Sequence, residues 1–267
     1  MKHYLINILF VLFNFFNSRK EFNFRILMIH NVKRKNFKLL EKNLKTLQKK
    51  YNFIDPNTLK TGIYPNGNNN LLLTFDDGFK SNFVFANSVL KKMNIKGIFF
   101  VVTDLINLNN QSKKKIIQNI FPEKKLQKIS QYKTMSWSNL RHLEKMGHVI
   151  GCHTKSHLRL NEIKSNTILK EQIVDPIFAF QRNKIAKPKF FAYPFGDFRS
   201  FNNKCFNIAR GKYEFIFSGI RGDNIKFSKI LFRDNIQDNY TFEMINFFIQ
   251  GYADFLYKKF RKIILSF

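Results

Sequence analysis

Apolar and polar positions alternate along this chain in blocks rather than residue by residue. Seven short runs are nearly continuous in apolar residues: Phe24 to His30 (FRILMIH), Leu71 to Asp76 (LLLTFD), Gly97 to Val102 (GIFFVV), His148 to His153 (HVIGCH), Lys189 to Phe195 (KFFAYPF), Glu214 to Gly219 (EFIFSG) and Lys229 to Ile236 (KILFRDNI). Runs of this kind are expected of parallel strands buried on both faces. Between them the spacing turns helical. NFKLLEKNLKTLQKKY sets Phe37, Leu40, Leu44 and Leu47 on one face. SWSNLRHLEKMG offers Ser136 as N-cap, Leu140 and Leu143 on one side, and Gly147 as the stop. YTFEMINFFIQGYADFLYKKF is predicted to close the chain as one long amphipathic helix, and Asn66 to Asn70 form a polar loop. Strands alternating with helices predict an α/β fold, either a barrel or an open doubly wound sheet. Both architectures gather reactive groups at the carboxyl ends of the strands. Asp76, Asp77, His153 and Phe195 stand at such ends.

Composition narrows this picture. A chain of 267 residues can bury a sizeable core, and its 44% hydrophobic and 16% aromatic content excludes a disordered polymer. The formal net charge of +28 and the pI of about 10.1 point, taken alone, to nucleic acid, an anionic membrane surface or an acidic substrate. The excess residues are Lys, Asn, Ile and Phe, whose codons are rich in A and T, so genome bias explains the charge equally well. The basic residues are scattered and no nucleic-acid motif accompanies them, so no nucleic-acid partner is expected. Cys152 and Cys205 are the two cysteines; they form no disulfide framework and read as small buried hydrophobes. The first twenty residues hold an apolar stretch, Leu5 to Phe16, interrupted by Asn7 and Asn14. It is short of the ~20 apolar residues of a membrane span and lacks a small-residue cleavage site. Residues 1–20 are read as a helix lying on a membrane or packed on the domain, with an uncleaved signal anchor as the alternative. Peripheral membrane contact is the partner this segment suggests, and residues 21–267 are expected to form a single domain. The protein is thus expected at a membrane or in the cytoplasm, with export as a third option.

Two stretches carry chemistry. Asp76 and Asp77 are adjacent carboxylates at the end of a buried run, where like charges repel and lose their hydration. GCHTKSHLRL places His153 and His157 at i,i+4, so a helical turn there would align both imidazoles on one face. Such a pair can chelate a divalent metal. It is not the zinc-protease signature, because Thr154 stands where that motif has glutamate. Two neutral imidazoles and one carboxylate leave coordination positions open for water and substrate, lower the pKa of bound water toward ~7, and free the neighbouring carboxylate to take a proton. The same ligand set could hold iron for oxygen chemistry, a reading that leaves the second aspartate without a task. Gly78 would let the chain turn away sharply enough for both aspartates to face one pocket.

LTFDDG (Leu73 to Gly78), GCHTKSH (Gly151 to His157) and AYPFG (Ala192 to Gly196) resemble the successive motifs of the polysaccharide deacetylases, carbohydrate esterase family four. ILMIHNV (Ile26 to Val32) is similar to the opening strand of that family's exopolysaccharide-modifying branch, and MSWSNLRHLEKMGHVIGCHT resembles the helix and strand that lead into the histidines. The resemblance runs from about Phe24 to Ile236. It implies a distorted (β/α)7 TIM-like barrel and a metal-dependent hydrolase that removes an acetyl group, N-acetyl foremost, from a sugar of a polysaccharide or glycan precursor. It further implies a divalent metal, zinc foremost, on Asp77, His153 and His157, with Asp76 as the base and Thr154 orienting a ligand. In Pro194-Phe195-Gly196 the backbone N–H of Phe195 would hold the oxyanion. The implied partner is an acetylated amino-sugar glycan.

Two positions depart from the family pattern. Where many members carry an arginine that pairs with the catalytic aspartate, this chain has Ala192. Where many have a late Leu-x-His whose histidine is the general acid, it has Leu231-Phe232-Arg233. An arginine is always protonated and cannot serve as that acid. Arg233 is therefore expected to restrain Asp76 in place of the missing arginine. The acid is left unassigned, with His30 at the end of the first strand as a substitute or else a core histidine. The alternative function is a catalytically impaired, glycan-binding barrel of the same fold. Trp137 is expected to pack.

Overall fold

The structure is a computed structural model and describes residue 6 and residues 8–11, 21–59, 67–106, 110–123, 132–225 and 228–267. The apolar runs form strands β1 (Phe24–Ile29), β3 (Asn70–Phe75), β4 (Gly97–Val101), β5 (Val149–Cys152), β6 (Phe190–Ala192), β7 (Phe215–Phe217), β8 (Ile230–Leu231) and β9 (Asp234–Asn235), and a short strand that no apolar run marked, β2 (Asn52–Phe53), is added to them. They make one sheet in the order β8-β7-β6-β5-β4-β3-β1-β9, with β2 beside β3. Every pairing is parallel. The stretch expected as a single seventh strand is two. Ile230–Leu231 pairs with β7, whereas Asp234–Asn235 pairs with β1. Phe232 and Arg233 bridge the two pairings, so one continuous segment joins the ends of the sheet and rounds it into the distorted barrel.

Strand alternation divides the core into two layers. Phe24, Ile26, Leu72, Ile98, Phe100, Phe190, Phe215, Phe217 and Leu231 fill the barrel interior. Leu27, Ile29, Leu71, Leu73, Phe75, Phe99 and Val101 point outward against the helices. Each fully buried Leu or Phe contributes about 2 kcal/mol. Gly151 belongs to the inward set because a Cβ there would lie 2.4 Å from the ring of Phe100. The helix Phe37–Gln48 buries Leu40, Leu44 and Leu47, and Trp137–Lys145 starts in a capping box built by Ser136 and Asn139. Trp137 packs edge-on against Phe180 at 5.9 Å. Both cysteines are buried and free.

The closing helix is not continuous. It runs Phe242–Ile249, breaks at Gly251 (φ 74°), passes through a 3-10 turn Asp254–Tyr257 and resumes at Lys258–Leu265. The break has a tertiary cause. Arg25 on β1 donates to both carboxylate oxygens of Asp254 (3.2 and 2.5 Å), and any Cβ on residue 251 would meet that guanidinium at 2.7 Å. Most of the N-terminal segment lies outside the described residues. Of those described, Ile6, Leu9 and Phe10 pack against the Phe247–Phe248 region. Among the described residues, no helix is long and apolar enough to cross a membrane.

Candidate active site

β3 carries Leu72 and Thr74 into the barrel, and the same alternation delivers Asp76 to its mouth. The next residue, Asp77, adopts a left-handed backbone (φ 75°), and Gly78 follows at φ 92°. The turn is tied down by Gly78 N–H to Asp76 O (3.0 Å), Met135 N–H to Gly78 O (2.9 Å) and Asn82 Nδ2 to Asp76 O (3.4 Å). Both carboxylates are buried, at 2% and 0% exposure. They differ in what holds them. Arg233 grips Asp76 in a bidentate pair, Nη1 to Oδ1 at 2.7 Å and Nη2 to Oδ2 at 2.9 Å. The guanidinium is itself fixed by Nε to Ser218 O (2.8 Å) and Nη1 to Thr74 Oγ1 (3.3 Å). Burial alone would raise the Asp76 pKa, but Arg233, with His153 and His30, outweighs burial and holds it below the usual carboxylate range. Asp77 has no such partner. Neither of its oxygens has a hydrogen-bond partner, and burial together with Asp76 pushes its pKa well above the ordinary value.

His153 and His157 face Asp77, each with Nε2 at 3.6 Å from Oδ1, and their rings meet edge-on at 5.0 Å. The i,i+4 spacing achieves this without a helix. Residues 153–157 form a loop in which Thr154 (φ 68°) and His157 (φ 58°) are left-handed. A helix would place successive imidazoles along one groove; here two backbone reversals fold both rings back toward β3. Thr154 Oγ1 accepts the His157 N–H at 3.1 Å, and Gln172 accepts from both Ser156 N–H (3.0 Å) and Ser156 Oγ (3.1 Å). His153 Nδ1 donates to the Ala192 carbonyl at 2.7 Å, which leaves Nε2 as the free lone pair. Burial drives the His153 pKa down to about 4, against the pull of Asp76 and the Ala192 carbonyl. It takes His157 well below its ordinary value too. Both rings are therefore neutral, the form that ligates metals.

The donor set suits a divalent cation. One ligand atom each from Asp77, His153 and His157 lie within 4.8 Å of one another, all buried. A buried carboxylate without hydrogen bonds costs several kcal/mol unless a positive charge accompanies it. Two imidazoles and a carboxylate are a common catalytic zinc set.

Phe195 completes the rim. It is left-handed (φ 63°), its ring lies 5.0 Å from His157, and its N–H finds no acceptor among the described residues. Of the seven non-glycine residues with positive φ among the described residues, four belong here: Asp77, Thr154, His157 and Phe195. Each such conformation costs about 1–2 kcal/mol, and it persists only where the surroundings over-determine it. Asp76, Asp77, His153, His157, Phe195, Gly196, Arg233 and His30 line one cavity of about 310 Å³, with Met28, Ile120, Phe121, Tyr193, Gly219 and Asn235 as its other walls. Thr154 and Pro194 are buried behind it. Sequence reasoning missed the Ala192 carbonyl and the Thr74 and Ser218 contacts to Arg233. A backbone carbonyl leaves no mark in a sequence, and Thr74 and Ser218 belong to no motif.

A parallel barrel whose mouth holds buried carboxylates beside two neutral imidazoles has the groups that activate water when a divalent cation is bound. The family model for polysaccharide deacetylase matches residues 64–211, more than half of the 267-residue chain, and the chain belongs to that family. It is a carbohydrate deacetylase, acting on an acetylated glycan. Solved structures carry the same fold. IcaB from Ammonifex degensii is 19% identical with a TM-score of 0.66, covering 87% of this chain and 99% of its own. A de-N-acetylase from Aggregatibacter actinomycetemcomitans is 17% identical with a TM-score of 0.64, covering 85% and 99%. The Streptococcus pyogenes deacetylase PplD, in complex with acetate, is 18% identical with a TM-score of 0.62, covering 85% and 97%. No curated protein sequence matches the chain. His30 and Arg233 both lie outside the matched residues 64–211.

Proposed function

We propose that this protein is a metal-dependent N-deacetylase of an amino-sugar polysaccharide, with zinc on Asp77, His153 and His157. The observation that carries the reading is the division between two adjacent buried carboxylates. Asp76 is fully paired by Arg233, whereas Asp77 is unpaired and faces two neutral imidazoles. A divalent cation bound there would polarise the acyl carbonyl and acidify water beside it. Asp76, kept ionised by Arg233, takes a proton from the attacking water. The Phe195 N–H, held by its left-handed backbone, donates to the oxygen on which negative charge develops. His30 is the remaining imidazole on the cavity wall. Burial, with Arg233, lowers its pKa against the pull of Asp76, so it stands neutral and gives to the leaving nitrogen a proton first received from the attacking water by way of Asp76. The exopolysaccharide-modifying branch is favoured because ILMIHNV (Ile26 to Val32), the stretch similar to that branch's opening strand, runs along β1 and carries His30 on the cavity wall.

Metal content measured together with acetate release from N-acetylglucosamine oligomers and from an O-acetylated glycan tests this. One zinc per chain, with acetate and free amine from the N-acetyl substrate, is expected. Glycan binding without acetate release would replace the proposal with the impaired, glycan-binding barrel.

A further inference from the structure

We infer that Arg159 is a positioning residue that latches the loop bearing the two histidines to the loop bearing Phe195. This rests on the deacetylase reading above, in which the Phe195 N–H faces the reacting acyl oxygen. Arg159 lies two residues beyond His157 and at the N-cap of the short turn Leu160–Glu162. Its guanidinium covers the ring of Phe195 at 4.1 Å from the centroid, while the same ring meets His157 at 5.0 Å. Its Nη1 contacts both oxygens of Asp197, at 3.3 and 3.2 Å, and its Nε lies 3.5 Å from Glu162 Oε1. Asp197 is an anchored partner. Its Oδ1 also accepts from Arg199 N–H (2.8 Å) and Ser200 Oγ (2.7 Å), and Ser200 O accepts the Asn161 N–H (3.2 Å) across the two loops.

The physical need for a latch follows from the Phe195 backbone. An aromatic residue in the left-handed region relaxes to the extended or right-handed region unless its side chain is held. Phe195 is 37% exposed, so burial does not hold it. A planar guanidinium stacked on the ring and tied to Asp197 does, because it fixes ring and loop together. Relaxation at Phe195 would swing its N–H away from the acyl oxygen while leaving Asp77, His153 and His157 in place. Arg159 itself touches none of the reacting groups.

Arg159→Ala is expected to lower kcat roughly tenfold to a hundredfold, the loss typical of a misplaced group, with KM within about twofold and metal content unchanged. Arg159→Lys keeps the charge toward Asp197 but loses the planar stack, and should fall between wild type and Arg159→Ala. Asp197→Asn weakens the latch from its other end and should show the same kcat-only loss even if Arg159→Ala folds poorly. Hydrogen exchange over residues 193–201 should accelerate in each variant, with residues 70–78 unchanged. Unaltered kcat and unaltered exchange in Arg159→Ala would overturn the latch, as would a loss of metal. A wild-type protein that releases no acetate would sink the deacetylase reading, while the exchange measurement still decides the latch.

Discussion

The barrel contains two buried ionic clusters separated by the thickness of its wall, and they are balanced differently. At the mouth, two carboxylates stand beside one guanidinium, and Arg233 pairs with Asp76 alone, leaving Asp77 without a partner. On the outer face, Asp234 and Asp254 share two. Arg25 bonds Asp234 at 3.0 Å and Asp254 at 2.5 Å, and Arg221 lies 3.6 Å from Asp234. Arg233 and Asp234 are consecutive residues that serve opposite clusters, because neighbours along an extended chain point to opposite faces. The outer cluster is charge-matched and pins β1, β9 and the C-terminal segment together. The mouth carries one more carboxylate than guanidinium. A matched buried cluster organises strands; an unmatched one leaves a carboxylate available for a cation and chemistry.

The contrast can be broken from either side. His153→Ala should abolish both metal binding and turnover, whereas Asp76→Asn should keep the metal and lose about 10²- to 10⁴-fold in kcat, the usual contribution of a general base. Chelation should lower the melting temperature of wild type but hardly change that of Asp77→Asn, whose neutral amide no longer needs a cation; equal shifts would contradict the assignment. Arg233→Met should cost about 3–5 kcal/mol in denaturant unfolding by stranding Asp76. Arg233→Lys should fold but lose rate, since an ammonium cannot form the bidentate pair; wild-type rate with an unchanged pH profile would refute the role of Arg233. In the outer cluster, Arg25→Met should destabilise by a similar 3–5 kcal/mol while the folded fraction turns over at nearly the wild-type rate.

The smallest effect is expected far from both clusters. His148 is buried, and burial first, then Lys96, lowers its pKa to about 4. Its folded pKa lies below the unfolded value near 6.5, so the unfolded chain binds the extra proton. The associated stability is complete above about pH 6.5 and is lost progressively, by up to about 3 kcal/mol, as the pH falls toward 4. His148→Gln should flatten urea-unfolding stability across that window, and an unchanged slope would count against it.

Much of this could be read from residue order. The apolar runs marked the strands because a strand buried on both faces has no polar side to show. Asp76, Asp77, His153 and His157 stood out because each set ends such a run. The fate of Lys229 to Ile236 could not be read, since its division between β7 and β1 depends on where the rest of the sheet ends. The same holds for the broken C-terminal helix, whose amphipathic pattern is continuous but whose path is interrupted by Arg25, more than two hundred residues earlier in the chain. The i,i+4 histidines suggested a helix and are instead brought together by two left-handed residues.

Local pattern thus determined the β/α alternation, the strand ends and the types of chemical group placed there, because burial and hydrogen bonding act within a few residues. Arg233 is expected from its place in the sequence to restrain Asp76, but tertiary structure alone makes that pair bidentate and leaves both Asp77 oxygens without a hydrogen bond. That arrangement rests on Arg233 reaching Asp76 across 157 residues of sequence, on the Ala192 carbonyl orienting His153, and on barrel closure. Each is a long-range juxtaposition, and charge balance inside a protein is set by distance in space.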